Sequence, residues 1–472
     1  MMRQRRTKIV CTIGPASQSK DVLRELVRAG MDVARINLSH GDHESHALTI
    51  RALRDVAAEE GKDIGILQDL GGPKIRLGQV PEGERVLAVG EVVRLIPGQI
   101  GSGADLAVQY PYLLEDVAVG ERILLADGLV ELQVTAKDRD ALQCRVVVGG
   151  VIHSHKGVNL PSSSLRIPSF TEKDRQDLLF GLEHGVDFVG LSFIRHERDV
   201  APVREMLQTV DPKPMVIAKI EKPQALDRLD AILDSVDGVM VARGDLGVET
   251  PLYEVPVIQK KIIQAARDRA KPVITATQML RSMISSPRPT RAETTDVANA
   301  VLDGTDAVML SEETAMGSYP VEAVRMLDRI AVTAEKYMFD TTHHIGLTSA
   351  ALPGMSAAIS EAVLSLANAL PTAAIIASTA SGQTARLVSR LRPRTPIVGF
   401  THAPATVRQL CLSWGVYPVL VPRCDDTDTL FAMARQWAMD HGVARRGDVL
   451  VLTAGVPVGQ SGTTNMVKVI EL

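Results

Sequence analysis

The sequence predicts an α/β protein: a (β/α)8 TIM barrel carrying an inserted all-β lid domain, followed by a C-terminal three-layer α/β/α domain. Three observations point there. Eight near-continuous apolar runs of strand length alternate with amphipathic helical patterns. One stretch rich in Val and Gly interrupts them without helical periodicity. An α/β pattern then resumes after about residue 340. The 472 residues are also more than one ordinary core holds, so several domains are expected.

The eight runs begin at Lys8 (KIVCTIG), Val33 (VARINLSH), Ile64 (IGILQDL), Phe188 (FVGLSFI), Met215 (MVIAKIE), Gly238 (GVMVARGDL), Pro272 (PVITATQM) and Ala307 (AVMLSEE). They are apolar throughout rather than alternating, as strands covered on both faces are. Helical stretches such as DVLRELVRAG and VPVIQKKIIQAARDRA lie between them. The expected barrel is 1–73 with 157–340, and the expected insert is 74–156, after the third strand. ERVLAVGEVVRLIPG and LVELQVTAKDRDALQCRVVVGG carry its strand pattern, and Gly71, Gly72, Pro73 and Gly157 at its edges suit hinges. The third domain is expected over 341–472, opening with a linker, THHIGLTSAALPGMS. A helix from Met355 then precedes AAIIAS, SGQTARLVSRL precedes PIVGFT, and TVRQLCLSW precedes VYPVLV; DVLVLTAG and NMVKVIEL complete a sheet of about five strands.

Composition excludes several functions. Aromatics are 3% of the chain and the net charge is −4, with a pI near 6.3, so neither a base-stacking surface nor a basic field selects nucleic acid or an acidic membrane. No run reaches the roughly 18 apolar residues of a membrane helix. Cys11, Cys144, Cys411 and Cys424 are scattered and form no C-x-x-C pair, and MMRQRR leads straight into a strand without a signal-peptide core. A cytoplasmic protein with reduced thiols is expected.

Active sites of such barrels sit at the C-terminal strand ends. The polar residues there are Arg35, Asn37 and Ser39 on the second strand, Asp69 on the third, and Lys219 and Glu221 on the fifth. Arg243 and Asp245 follow on the sixth, Thr277 on the seventh and Glu313 on the eighth. Residues two apart on a strand share a face, so Lys219 pairs with Glu221 and Arg243 with Asp245. Buried charges at strand ends are costly unless they meet a partner or an ion. Glu221 and Asp245 suit Mg²⁺ or Mn²⁺, with substrate oxygens and water completing the octahedron, and Lys219 beside them suits a phosphoryl group. An internal Lys–Glu–Asp ion network is the bland alternative. The GDL following Arg243 supplies N–H groups at a helix start, a seat for carboxylate or phosphate.

These segments resemble one family. VIAKIEKPQAL, KIVCTIGPAS, ARINLSHG, ARGDLGVE, TATQML, RPTRAETTDVANAVLDGTDAVMLSEETAMG and TASGQTAR together resemble the pyruvate kinases, in order and over essentially the whole chain. The resemblance implies phosphoryl transfer from phosphoenolpyruvate to ADP, giving pyruvate and ATP, the last step of glycolysis. It implies that Glu221 and Asp245 bind Mg²⁺ and that Lys219 stabilises the phosphoryl group in transfer. Gly244, Asp245 and Thr277 would hold the enolpyruvate carboxylate, with Thr277 near the site of enolate protonation, and Arg35 would bind phosphate. Asn37, Ser39, His40, Arg76 and Lys156 would line the nucleotide side, the last two closing with the lid to exclude water. Relatives are homotetramers, and SSPRPTRAE could serve an interface.

The resemblance also places a monovalent cation at Asn37, Ser39, Asp69 and Leu70. Potassium-dependent relatives usually have Thr at Leu70 and Glu at Lys74. An ammonium at Lys74 can supply the charge that K⁺ brings, which makes K⁺ dispensable; the alternative is a solvated hinge lysine. Glu312, where relatives often have Gly, reads as a surface change. In the third domain, Ser378, Thr379, Ser381, Gly382 and Thr384 form a strand-to-helix loop that in this family binds the phosphate of an allosteric activator. Capping of the helix by Ser381 is the alternative, and Gln383, often basic in relatives, leaves AMP and sugar phosphates both open. His40, His43 and His46 lack the companions of a zinc set, and His43 and His46 are expected as solvated helix-face residues. His153 and His155 are expected exposed. A Mg²⁺-dependent aldolase or lyase on the same kind of barrel is the runner-up; it has no use for the lid or the third domain. A metabolite-binding regulator with a decayed site is opposed by intact Lys219, Glu221, Asp245 and Thr277.

Overall fold

The computed structural model describes residues 4–101, 105–163, 165–341, 354–457 and 464–472. Eight parallel strands close a barrel: β1 (Lys8–Thr12), β2 (Val33–Asn37), β3 (Gly65–Asp69), β4 (Phe188–Leu191), β5 (Met215–Ile220), β6 (Gly238–Ala242), β7 (Val273–Ala276) and β8 (Ala307–Leu310). Each strand pairs with its neighbours in chain order, and β1 closes on β8. The strands are buried almost without interruption, which is why their sequences do not alternate. Val10, Leu67, Phe188, Ile217, Met240 and Ile274 fill the interior, and Leu412 and Cys411 of the third domain pack into the same cluster from below.

Helices start where short polar side chains accept orphan N–H groups. Asp42, Thr171 and Thr290 each open a helix with a reciprocal capping box. In the second of these, Asp174 takes the Thr171 N–H at 2.8 Å with one oxygen and the Gly72 N–H at 3.0 Å with the other. The helix Glu172–Glu183 therefore fastens the hinge at which the chain leaves the barrel.

The inserted region lies between β3 and β4. Its six-stranded sheet has the order Val158–Asn159, Arg122–Leu125, Val130–Lys137, Leu142–Val148, Val92–Pro97 and Leu106–Val108. Glu84–Leu87 and Gly150–His153 form a separate antiparallel pair. Its strands alternate buried and exposed residues, as in Val130–Lys137, because only one face of the sheet meets the core of Leu95, Val108, Tyr110 and Leu132. The strand Val158–Asn159 lies just past the expected return to the barrel.

The third domain is a five-stranded sheet: β9 (Thr372–Ser378), β10 (Ile397–Thr401), β11 (Val416–Leu420), β12 (Val449–Gly455) and β13 (Thr464–Glu471). The order is β11-β10-β9-β12-β13, with β13 antiparallel. Separate apolar clusters cover its two faces, giving three layers. Most of the expected linker, 342–353, lies outside the described residues. The domain docks on the N-terminal face of the barrel. Lys8 donates to the Val416 carbonyl at 2.7 Å, and Arg408 pairs at 2.6 Å with Asp187, which immediately precedes β4. Asp187 also binds Arg54 at 2.8 Å and the Ile66 N–H at 2.9 Å.

Candidate active site

At the opposite face, the C-terminal strand ends carry a buried charge cluster. Lys219 lies 2.9 Å from Glu221 and 3.3 Å from Asp69, and donates to Ser192 Oγ at 2.7 Å. Asp69 also receives Arg35 at 2.6 Å, and Arg35 reaches Thr12 Oγ1 at 3.0 Å. Asp69 and Glu221 are each 1% exposed. Burial disfavours the Lys219 charge, but Asp69 and Glu221 outweigh it and hold the ammonium above its ordinary range. Burial likewise works against Asp69, and Lys219 with Arg35 overcomes it, so Asp69 stays ionised. Glu221 is the exception: burial, with Asp245 adding repulsion, pushes its carboxyl up to about 7 despite Lys219.

That imbalance suits a divalent cation. Glu221 Oε1 and Asp69 Oδ1 are buried and share the single Lys219 ammonium, at 2.9 and 3.3 Å, and Asp245 is close enough to Glu221 to repel it. No cluster of three or more His, Cys, Asp or Glu side chains with metal-site geometry occurs among the described residues. Two carboxylates are enough for Mg²⁺, which keeps water and takes substrate oxygens. Glu221 and Asp245 would hold the ion, and it would supply charge neutralisation for a phosphoryl group.

β6 ends in the short helix Arg243–Glu249, so Gly244 and Asp245 stand in its first turn. The Gly244 N–H donates to Thr277 Oγ1 at 2.7 Å, so hydroxyl and amide meet here. Thr277 and Gln278 have φ of 69° and 57°, a left-handed conformation that a β-branched threonine adopts only at a cost. Arg243 secures the turn, donating to the Thr277 carbonyl at 2.7 Å and pairing with Asp296 at 2.7 Å. Arg243 is thus a brace. Glu313 is another: it is buried and accepts the Ser311 and Leu280 N–H groups. Glu312 is exposed.

The loop after β2 lies alongside. Asn37 Oδ1 accepts the Ser39 N–H at 3.2 Å, and the Leu70 carbonyl accepts Ser192 Oγ at 2.7 Å. The Leu38 carbonyl receives Lys173 at 2.9 Å and the His40 carbonyl receives His46 at 2.8 Å. Of the two histidines expected on a solvated helix face, His43 is exposed there and His46 is half-buried. His43 binds the buried Asp177 at 2.8 Å and stacks on Phe180, while burial lowers the His46 pKa. His153 and His155 are exposed as expected.

The structure does not gather every expected residue at this cluster. Lys74 and Asp245 line a cleft of about 520 Å³ between barrel and insert, with Gly157, Phe193 and Lys222. Lys74 is exposed there. Arg76 donates to the His155 carbonyl at 3.0 Å, tying one hinge strand to the other, and Lys156 is exposed. Ser378, Thr379, Ser381, Gly382 and Thr384 lie in the third domain, beyond the other end of the barrel. The alternative of capping by Ser381 is not met: Gly382, at φ 83°, occupies the cap without any side-chain bond, and the Ser381 carbonyl accepts Arg386 at 2.9 Å. Thr384 is buried and bonds Thr464 at 2.7 Å.

Two residues escaped the sequence reading, Ser192 and Thr12. Both are neutral hydroxyls at strand ends, where only charged groups and the second and seventh strands had drawn notice. Among the described residues, no helix is long and apolar enough to cross a membrane.

Comparison with known proteins agrees with this layout. The profile described as "Pyruvate kinase, barrel domain" matches residues 4–324, and "Pyruvate kinase, alpha/beta domain" matches residues 357–470. The chain is 46% identical over 470 residues to the pyruvate kinase of Geobacillus stearothermophilus, covering 99% of this chain and 80% of that one. It is 45% identical over 468 residues to that of Mycobacterium tuberculosis, covering 98% of each. A crystal structure of a pyruvate kinase from Cryptosporidium parvum superposes with a TM-score of 0.93 at 35% identity, over 99% of this chain and 96% of that one. With barrel, insert and third domain all matched in order, the chain belongs to the pyruvate kinase family.

Proposed function

We propose that this chain transfers the phosphoryl group of phosphoenolpyruvate to ADP, releasing pyruvate and ATP. The observation that carries the reading is the buried Lys219–Glu221–Asp69–Arg35 cluster, next to Asp245, in which one ammonium is shared by two buried carboxylates. Lys219 is held protonated, so it serves as a fixed cation for the phosphoryl group rather than as a base. Arg35 presents a second cation, and Mg²⁺ on Glu221 and Asp245 would neutralise what remains. The Thr277 hydroxyl and Gly244 amide orient the carboxylate end of the enolate. Arg76 and Lys156, on the hinge strands, approach from the nucleotide side when the insert closes. The test is pyruvate formation dependent on ADP. Pyruvate released equally without ADP would indicate a lyase and overturn the reading.

A second element concerns the monovalent cation. Lys74 lines the same cleft as Asp245 with its ammonium exposed, while Asn37 Oδ1 and the Leu70 carbonyl already have donors. This supports turnover without K⁺. Assays in tetramethylammonium buffer should show little response to KCl; many-fold activation would reject it. The loop 378–384 is proposed as the seat of a phosphorylated activator, AMP or a sugar phosphate, in a homotetramer. Titration of phosphoenolpyruvate with each candidate should show a lowered half-saturation point, and sedimentation should give the mass of four chains.

A further inference from the structure

Where the third domain meets the base of the barrel, a small cavity is lined by Arg267, Lys271, Asp306, Arg386, Arg390 and Arg392, with Ser389 and Ser413. Five basic side chains and one carboxylate line it, with the carboxylates of Asp268, Asp237 and Glu361 near them outside the lining. The lining carboxylate is already engaged: Asp306 takes Arg392 at 3.1 Å and the Trp414 N–H at 3.2 Å on one oxygen, and the Val273 N–H at 3.1 Å on the other.

The cations are only partly satisfied. Arg392 donates to the Gly304 carbonyl at 2.6 Å and lies over the Trp414 ring, and Lys271 donates to the Leu233 and Val236 carbonyls. Arg390 reaches the Asp268 carbonyl and the half-exposed Glu361 carboxylate only at 3.5 Å each. Arg386 Nη1, Arg390 Nε, Arg392 Nε and Ser413 Oγ are all buried without a hydrogen-bond partner. Arg390 and Ser413 are 2% and 1% exposed. Buried donors are rarely left unmade, least of all on charged groups.

We infer that this cavity binds one small inorganic anion of about chloride size. Arg386, Arg390, Arg392 and Ser413, all of the third domain, leave a buried donor each on the lining, so the site selects an acceptor. The free space admits roughly one water-sized body, which excludes nucleotides and sugar phosphates. Burial, with Arg392 adding to it, pushes the Arg267 guanidinium down to about 9, and burial pushes Arg386 down to about 10. Water would accept from only some of the orphaned donors at once.

The test uses the full chain. Crystals grown in sodium bromide should show an anomalous peak in the cavity, within hydrogen-bond reach of Arg390 and Ser413. Thermal unfolding should show a saturable rise in Tm with sodium chloride or bromide over sodium gluconate at equal ionic strength. Ser413→Ala, a mild change, should raise the half-saturating chloride concentration several-fold, and Arg390→Gln should abolish the response. Absence of the peak together with equal Tm in chloride and gluconate would overturn the inference in favour of water. Stabilisation by inorganic phosphate or sulfate but not by halide would overturn the assignment of size.

Discussion

Replacing Glu221 by Gln should stabilise the protein while abolishing its activity. Glu221 is buried, and its carboxyl is pushed from 4.5 up to about 7. A raised carboxyl pKa means that the folded state binds the proton more tightly than the unfolded one. Folding stability is then highest at low pH and declines between the unfolded value and about pH 7, where the carboxylate must ionise in place. The shift corresponds to a cost of about 3 kcal/mol above pH 7. Glutamine removes that cost and keeps an acceptor for the Phe193 N–H, which Glu221 now binds at 2.6 Å. Lys219 loses one partner but keeps Asp69 and Ser192. Without added metal, Glu221→Gln should therefore unfold roughly 2–5 °C higher than the parent at pH 8 and at the same temperature near pH 5. Magnesium should raise the Tm of the parent and not that of the variant. Equal destabilisation at both pH values would refute the argument, because Glu221 would then be a net structural ion-pair partner.

Lys219→Met should lower kcat by about 10³-fold or more, with phosphoenolpyruvate binding still measurable by fluorescence or calorimetry; surviving activity would remove Lys219 from its phosphoryl role. Ser192→Ala deletes the bridge from Lys219 to the Leu70 carbonyl and should cost about tenfold in kcat with the Tm little changed. Thr277→Val deprives the Gly244 N–H of its acceptor and should cost about 10²-fold in kcat/KM for phosphoenolpyruvate, whereas Thr277→Ser should retain most of it. Asp174→Ala leaves the Gly72 and Thr171 N–H groups without acceptors; it should destabilise by about 1–3 kcal/mol in urea and raise KM for ADP more than for phosphoenolpyruvate.

The barrel was legible because strands covered on both faces must be apolar at every position, and runs such as FVGLSFI and MVIAKIE have no other reading at that length. Lys219, Glu221 and Asp245 were legible because charge at the end of such a run demands a partner. Ser192 and Thr12 obey the same positional rule, but a hydroxyl after an apolar run carries no penalty and so gives no signal. Asp174 and Lys173 were hidden for a different reason. Their first role, in a capping box and an i,i+4 pair with Asp177, accounts for them locally. Only the fold reveals that Asp174 also holds Gly72 and that Lys173 holds Leu38. The cationic cavity was equally invisible, because Arg267 and Arg390 are 123 positions apart and meet only when two domains dock.

β4 joins two of these features end to end. Asp187, at its start, is pinned by Arg408 from the third domain, and Ser192, at its finish, is the hydroxyl on which Lys219 rests. Between them run the four residues of the strand, five steps of about 3.3 Å or roughly 16 Å, hydrogen-bonded on both sides to β3 and β5. One strand therefore carries the docking contact of the third domain at one end and the contact of the proposed catalytic lysine at the other, so the two sites share a single length of backbone.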